Sequence, residues 1–192
     1  MVNSKNPGIL AVQGDFEKHQ RMLERLGAAA VLVRNPQQLR ECSGLIIPGG
    51  ESTTLRYMMK KHDLWDAVKV FAETHPVFGT CAGCILMAQE ICNDDRDSLK
   101  VMDISVRRNA YGRQVDSFID DIQLEQDTEP FEGVFIRAPK IEKITGTVRV
   151  LARLGEHVVW VEQGHLMAAT FHPELTLDLR VHEYFINKLD RP

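Results

Sequence analysis

The stretch that most constrains this chain of 192 residues is a cysteine bracketed by glycines. Residues 76–78 form a short apolar run, and Gly79-Thr80-Cys81-Ala82-Gly83 follows it. After this stretch, apolar residues recur at helical spacing as far as Ile91. This pattern predicts a strand, a sharp turn that carries a nucleophile, and a helix. The glycines permit a tight bend and a close approach of neighbouring chain. At the start of a helix, unpaired N–H groups and the helix dipole favour the reactive thiolate form of Cys81.

The four cysteines leave two chemical interpretations open. Most free cysteines are buried and unreactive, and we assign Cys42 and Cys92 to that group. Beside Cys81, the backbone N–H of Ala82 can point at the oxygen of a carbonyl under attack. However, Cys81-x-x-Cys84 at a helix start is also typical of a thioredoxin-like redox site. A redox protein is therefore the alternative to a cysteine hydrolase.

Length and composition narrow the class of protein. The chain has 44% apolar and 26% charged residues, which suits one globular domain over residues 1–192, with a flexible segment at 1–7. The net charge of −4, without a basic stripe, argues against nucleic acid as a partner. No apolar run approaches the roughly 20 residues that span a bilayer, and the first residues lack a signal-peptide core. We therefore expect a cytoplasmic protein with reduced thiols and no membrane contact.

The first half alternates short apolar strands with helical segments. Strands are predicted at residues 8–12, 30–33 and 44–47, and helices at 16–26, 36–41, 54–61 and 64–73. This rhythm predicts a parallel sheet with helices on both faces, and hence a three-layer α/β/α sandwich. Three strands before Cys81 disfavour the redox interpretation, because thioredoxin carries its motif after an early strand.

The pattern in the second half of the chain predicts an extension of the same sheet. Strands are predicted at residues 101–106, 114–120, 134–137, 148–154, 157–162 and 165–171, and a closing helix at 177–189. The two residues between 154 and 157 are short enough for a hairpin. We therefore expect a mixed, partly antiparallel sheet and no separate second domain.

Two further segments suit the binding of an acidic group. The third strand runs into Pro48-Gly49-Gly50-Glu51-Ser52-Thr53-Thr54, which has the form of an anion- or carboxylate-binding loop. The alternative is an ordinary turn in which Ser52 or Thr53 caps the next helix. No Walker lysine follows the glycines, so a nucleotide P-loop is disfavoured. Residues 107–113 are basic and turn-rich, and they either present a cation to a substrate carboxylate or form a surface charge cluster.

A catalytic cysteine requires a base, and His172 is the best placed of the seven histidines. It comes at the carboxyl end of a predicted strand, which is the edge of a parallel sheet where Cys81 is also expected. Glu174 is two residues further on, so in extended chain it leans to the same side. Spacing therefore suggests a triad of Cys81, His172 and Glu174.

These residues resemble a known family. Gly79-Thr80-Cys81-Ala82-Gly83 with His172-Pro173-Glu174 is similar to the triad-type, class I glutamine amidotransferases, whose fold is a flavodoxin-like, mainly parallel α/β/α sandwich. Four further stretches resemble the glutaminase subunits of pyridoxal 5′-phosphate synthase within that family. They are residues 48–54, 108–118 (Arg-Asn-Ala-Tyr-Gly-Arg-Gln-Val-Asp-Ser-Phe), 133–139 (Gly-Val-Phe-Ile-Arg-Ala-Pro) and 171–176 (Phe-His-Pro-Glu-Leu-Thr). The resemblance runs from Gly8 to the closing helix.

The resemblance implies a role for each matching residue in hydrolysing L-glutamine to L-glutamate and ammonia. Cys81 is then the nucleophile, His172 the general base and acid, and Glu174 the carboxylate that orients it. The glutamine site is expected to comprise Gly49, Gly50, Glu51, Arg108, Ile136 and Arg137. The backbone N–H groups of Gly50 and Ala82 are the expected oxyanion donors. No cofactor and no metal are expected.

The resemblance also implies a partner. A separate synthase subunit would take the ammonia and make pyridoxal 5′-phosphate, and it would activate the glutaminase, for which Gly49-Gly50 is flexible enough to move a peptide N–H into place. Cys84 departs from the family, which usually has a larger aliphatic residue there. Two other interpretations remain: a different cysteine hydrolase of the same fold, and a binding subunit whose triad is idle.

Overall fold

The computed structural model describes residues 6–92, 94–108 and 117–189. Its strands are β1 (Pro7–Leu10), β2 (Val31–Val33), β3 (Gly44–Ile47), β4 (Val77–Thr80), β5 (Ala88–Cys92), β6 (Met102–Arg107), β7 (Ser117–Leu124), β8 (Phe131–Ile136), β9 (Lys140–Ile144), β10 (Arg149–Leu154), β11 (His157–Gln163) and β12 (Leu166–Ala169). Its helices are α1 (Phe16–Arg25), α2 (Pro36–Leu39), α3 (Ser52–Lys61), α4 (Leu64–Phe71), α5 (Ala82–Met87) and α6 (Arg180–Lys188), with a 3₁₀ turn at Pro173–Leu175.

Nine strands form one mixed sheet in the order β2-β1-β3-β4-β12-β11-β10-β7-β8. The first five pair in parallel, in the spatial order of a flavodoxin-like fold. From β12 onward the pairs are antiparallel, including the β10–β11 hairpin. Strands β1, β3, β4 and β12 are buried at every residue, which explains their continuous apolar runs. The predicted mixed α/β sheet is confirmed.

Two apolar clusters lie on opposite faces of this sheet. In one, Leu23 of α1 and Phe185 of α6 pack with Phe78 of β4. In the other, Leu55 of α3 and Val68 of α4 pack in the cluster that contains residues of β1 and β3. Successive side chains of a strand point to opposite faces, so each inner strand contributes to both clusters. The result is the predicted arrangement of helices on both faces.

The helix after Cys81 is much shorter than its apolar spacing suggested. We predicted helical periodicity through Ile91, but α5 ends at Met87 and β5 begins at once with Ala88. Strand β5 joins β6 and β9 in a second, three-stranded sheet. Ala88 and Ile91 are three residues apart and are buried on this strand in the same cluster as α5, so apolar spacing alone did not separate helix from strand.

Several boundaries also differ from the predictions. Helix α3 begins at Ser52, with Glu51 as its N-cap, so neither Ser52 nor Thr53 is the cap. Helix α6 begins at Arg180, not at residue 177, after the 3₁₀ turn. Strand β9 was not predicted, and β1 already includes Pro7 of the segment expected to be flexible.

Residues 1–5, 93, 109–116 and 190–192 lie outside the described residues. Most of the basic segment at 107–113 and the predicted strand start at 114–116 fall among them. In the part of the chain that is described, no helix is long and apolar enough to cross a membrane.

Candidate active site

Cys81 lies at a sharp elbow between β4 and α5. Its backbone has φ 46° and ψ −99°, a strained conformation for a residue with a side chain. The Cys81 N–H donates to the carbonyl oxygen of Ala169 at 2.8 Å, which ties the elbow to β12. A Cβ on Gly83 would lie 2.2 Å from the carbonyl oxygen of Ile47, so this glycine lets α5 approach β3. The predicted order of strand, turn and helix is confirmed.

His172 and Glu174 lie just after β12, at the same edge of the sheet. The His172 N–H donates to the carbonyl oxygen of Val134 at 2.8 Å, which fixes the backbone beside β8. The His172 Nδ1 and Glu174 Oε1 atoms are 2.7 Å apart, and both side chains are buried. The imidazole is therefore oriented by the carboxylate, as the spacing suggested.

The charges of this pair are set by burial and by the neighbours. Burial alone would lower the pKa of His172, but hydrogen bonds with Cys81 and Glu174, and their negative charge, raise that pKa to about 10. Burial alone would raise the pKa of Glu174, but the nearby His19 and the hydrogen bond from His172 lower it to about 2. At neutral pH the pair is therefore an imidazolium bonded to a carboxylate.

A cleft of about 470 Å³ opens over the cysteine. It is lined by Asp15, Gly50, Glu51, Ser52, Cys81, Ile85, Arg108, Ser117, Ile136, Arg137 and His172. Among them are five of the residues expected to bind glutamine, and the sixth, Gly49, lies against the imidazole. A Cβ on Gly49 would lie 2.4 Å from His172 Cε1 and 3.4 Å from Cys81 Cβ. The structure therefore brings the expected substrate residues together around the triad.

Two charged residues at the cleft hold each other in place. Arg108 donates to Asp94 Oδ2 at 2.8 Å, and its Nη2 lies 3.6 Å from Glu51 Oε1. Glu51 also caps α3, because its carboxylate accepts the N–H groups of Thr53 and Thr54. Asp94 belongs to none of the sequence patterns described above, and only the folded chain reveals its contact with Arg108.

The loop after β3 is interlocked with the loop after β1. The Gly49 carbonyl oxygen accepts the Asp15 N–H at 3.2 Å, and a Cβ on Gly14 would lie 2.0 Å from that oxygen. Gly50 has φ +144°, a conformation that residues with side chains rarely adopt. Sequence reasoning did not identify Asp15 or Ser117 as cleft residues: Asp15 belongs to no recognisable pattern, and Ser117 lies in the stretch 108–118 but was given no role there.

The geometry of Cys84 disfavours the redox interpretation. All four cysteines are free, and Cys84 is fully buried in the core. Burial raises the pKa of its thiol well above the ordinary value, and the neighbouring Cys81 raises it further. Because a thiol reacts as its thiolate, Cys84 is a packing residue. Burial likewise raises the pKa of Cys42 to about 11.

Asp15, His172 and Glu174 are the one group of potential metal ligands within 4.8 Å of one another in the described part of the chain. The bond between His172 Nδ1 and Glu174 Oε1 already accounts for the position of two of them.

The fold and this elbow define a class: α/β proteins that present a cysteine at the carboxyl edge of a parallel sheet, next to a histidine bonded to a carboxylate. A family model described as the SNO glutamine amidotransferase family matches residues 9–191, and the chain belongs to that family. The prediction of a glutamine amidotransferase, an enzyme that hydrolyses glutamine, is thereby confirmed.

Individual relatives agree with this assignment. The chain is 52% identical over 186 residues to the pyridoxal 5′-phosphate synthase subunit PdxT of Pelotomaculum thermopropionicum, covering 96% of this chain and 95% of that protein. It is 49% identical over 179 residues to the subunit of the same name from Oenococcus oeni, covering 93% and 94% of the two chains. A solved structure described as a glutamine amidotransferase superposes with a TM-score of 0.90 at 45% identity, covering 95% of this chain and 98% of the other.

Proposed function

We propose that this chain hydrolyses L-glutamine to L-glutamate and ammonia through Cys81, His172 and Glu174, and supplies the ammonia to a synthase that makes pyridoxal 5′-phosphate. The observation that carries the proposal is the strained cysteine elbow beside the buried histidine and carboxylate, at the bottom of a cleft. The family membership supports the same reaction.

The proposed reaction gives one role to each member of the triad. An amide is a poor electrophile, so attack by the Cys81 thiolate divides its hydrolysis into acylation and deacylation. His172, as the imidazolium, donates a proton to the departing ammonia, and a thioester of glutamate forms on Cys81. The neutral imidazole then takes a proton from water, which attacks the thioester and releases glutamate. Glu174 stabilises the imidazolium that is present before acylation and that forms again when water is deprotonated in deacylation.

The developing oxyanion needs donors near Cys81. We assign this role to the backbone N–H groups of Gly50 and Ala82. Ala82 immediately follows the nucleophile as the first residue of α5, and Gly50 lines the cleft. The Gly49 carbonyl bond to Asp15 restrains the Gly49–Gly50 peptide, so any rotation of this peptide must break that bond. Loss of one oxyanion donor costs about 10²–10³ in rate, so this peptide is a suitable switch.

The remainder of the cleft is assigned to the substrate. Arg108 supplies a guanidinium for the α-carboxylate of glutamine. Glu51 contacts Arg108 and is assigned to the α-ammonium, and Ile136 and Arg137 supply a further part of the cleft lining. Arg137 has φ 44°, so its backbone is held in a strained turn beside the site.

The partner is proposed from the relatives' names, which describe subunits of a pyridoxal 5′-phosphate synthase. We propose a heteromeric complex in the cytoplasm, in which the whole chain, residues 1–192, acts as a single glutaminase domain. Ammonia released without an acceptor is wasted, so activation by the synthase subunit is expected. The loops that end at Gly14 and Gly49 lie together at the sheet edge and provide a surface for this control.

The test is a glutaminase assay with and without the synthase subunit of the same organism. The isolated chain should be nearly inactive, and titration with the partner should raise kcat. Cys81→Ser should abolish hydrolysis with an unchanged unfolding temperature. Substantial activity of the Cys81→Ser variant would contradict the assigned nucleophile, and full activity of the chain alone would contradict the switch.

A further inference from the structure

Behind the catalytic pair, two more histidines are buried where no solvent reaches them. His19 of α1 and His182 of α6 are both 0% exposed. The His19 Nδ1 and His182 Nε2 atoms are 2.9 Å apart, and His19 Nε2 is 3.1 Å from Thr80 Oγ1. Fully buried imidazoles are unusual without a polar role, and the mechanism proposed above uses neither of them.

His19 also faces the far side of the catalytic carboxylate. Its Nε2 lies 3.3 Å from Glu174 Oε2, and both side chains are fully buried. Glu174 Oε1 is bonded to His172, whereas Oε2 has no well-formed hydrogen bond within the described residues. A buried, ionised carboxylate is costly unless its oxygens face donors. His19 Nε2 lies 3.3 Å from this oxygen and 3.1 Å from Thr80 Oγ1, so a proton on this nitrogen would face both oxygens.

The tautomers follow from this constraint. If His19 Nε2 lacked a proton, its lone pair would face the negative Oε2, and that oxygen would face no donor. We therefore assign the proton of His19 to Nε2, which leaves Nδ1 to accept from His182 Nε2–H. The remaining nitrogen, His182 Nδ1, is then an unpaired acceptor, in agreement with its lack of a partner. The opposite assignment would bury an unpaired N–H, which proteins rarely do.

We propose that His19 is a positioning residue: its Nε2–H holds the buried Glu174 carboxylate ionised and aimed at His172, and His182 holds His19 in the required tautomer. This inference rests on the proposed triad. It extends the chain of contacts to α1 and α6, on the face of the sheet opposite α5.

The surrounding charges are compatible with two neutral rings. Burial lowers the pKa of His19; Glu174 and Asp15 oppose this effect, and His172 adds to it. Burial, then His19 and Arg25, lower the pKa of His182 to about 3, against the opposing effect of Glu174. Both rings therefore act at neutral pH as hydrogen-bond donors and acceptors and not as cations.

Two substitutions of similar size distinguish a role of His19 as a hydrogen-bond donor from a role in packing alone. His19→Leu removes the N–H that faces Glu174. His19→Gln keeps an N–H near the position of Nε2. His165→Leu is the matched control, because His165 bonds the carbonyl oxygen of Ala72, the C-cap of α4, and not the catalytic pair.

The titration of His172 can be followed by ¹⁵N NMR, and the His172→Gln variant assigns its signal. This measurement does not depend on enzyme activity. In His19→Leu a poorly held Glu174 supports the imidazolium less well, so the midpoint should fall by about one pH unit. His19→Gln and His165→Leu should keep the wild-type midpoint. With the synthase subunit present, His19→Leu should lower kcat about tenfold at unchanged KM, and His19→Gln should restore it.

A midpoint that stays or rises in His19→Leu, or a His19→Gln variant that matches His19→Leu, overturns the proposal. Where His19→Leu does not fold, His182→Leu carries the same test, with a smaller fall expected and no change overturning the proposal. Glu174→Gln distinguishes a failure of the proposed triad from a failure of the role proposed for His19. If it leaves the His172 midpoint unchanged, the triad itself is wrong; if it lowers the midpoint while the His19 variants do not, only the role of His19 is wrong.

Discussion

The substitution Gly49→Ala tests whether catalysis requires the His172 imidazole to stay within about 1 Å of its position. Gly49 is not in a conformation that demands glycine, because its φ lies outside the positive range in which side chains are strained. Space alone requires glycine here. The new Cβ would lie 2.4 Å from His172 Cε1 and 2.9 Å from Nδ1.

The size of the effect follows from that contact. Ordinary van der Waals contact begins at 3.4 Å, so the ring or the loop must move by about 1 Å from the 2.4 Å position. The ring is held by Glu174, and the loop is held by the Asp15 N–H on the Gly49 carbonyl. A displacement of this size costs about 10²-fold in rate, or about 2.7 kcal/mol in the barrier.

The assay is steady-state glutamine hydrolysis with saturating synthase subunit, together with thermal unfolding of the isolated chain. We expect kcat to fall about a hundredfold, while the variant remains folded. Gly27→Ala is the control for a general effect of replacing glycine, since a Cβ there meets nothing within 4 Å and only its φ of +74° is unfavourable. It should lower stability without changing kcat. A kcat for Gly49→Ala within about threefold of wild type would refute the reasoning.

Three further predictions test the cleft and the core. Cys84→Leu should retain glutaminase activity, because Cys84 is a buried packing residue; thiol–disulfide exchange that depends on both cysteines would revive the redox alternative. Arg108→Ala should raise the half-saturating glutamine concentration about tenfold to hundredfold, because a guanidinium facing a carboxylate contributes roughly 1.5–3 kcal/mol; an unchanged value would show that Arg108 only pairs with Asp94 and Glu51 and does not bind glutamine. The pKa of His172 is raised to about 10, so its contribution to stability is full below about pH 6.5 and is lost as the pH rises towards 10. Denaturant unfolding between these pH values should show a smaller loss of stability in His172→Gln than in wild type, and equal losses would contradict the ion pair.

The parallel half of the fold could be predicted from sequence because its signals are local. Strands that are buried on both faces must be apolar throughout, and residues 44–47 show this without reference to any other part of the chain. The cysteine elbow is equally local, since its strand, glycines and helix are consecutive. The pairing of His172 with Glu174 was also accessible, because the two are separated by one residue at a strand end.

Other elements were missed where the decision was made by distant residues. The end of α5 at Met87 reflects the pairing of β5 with β6, which begins 14 residues after the start of β5 and in turn pairs with β9. Helix and strand are both compatible with the apolar residues 85–91, so only sheet formation decides between them. The N-cap of α3 by Glu51 was also missed, because Glu51, Ser52 and Thr53 are consecutive polar residues and each could have capped the helix.

The sequence by itself was enough to propose the nucleophile, its histidine and its carboxylate, because each is indicated by neighbours within a few residues. Only the tertiary structure decided which other side chains contact these three residues and line the cleft. Asp15 lines the cleft from the loop after β1, and Asp94 bonds the cleft residue Arg108. His19 reaches Glu174 across 155 positions of sequence from a helix on one face of the sheet. No local pattern can encode such contacts, since they exist only after the strands have paired and the helices have packed against them.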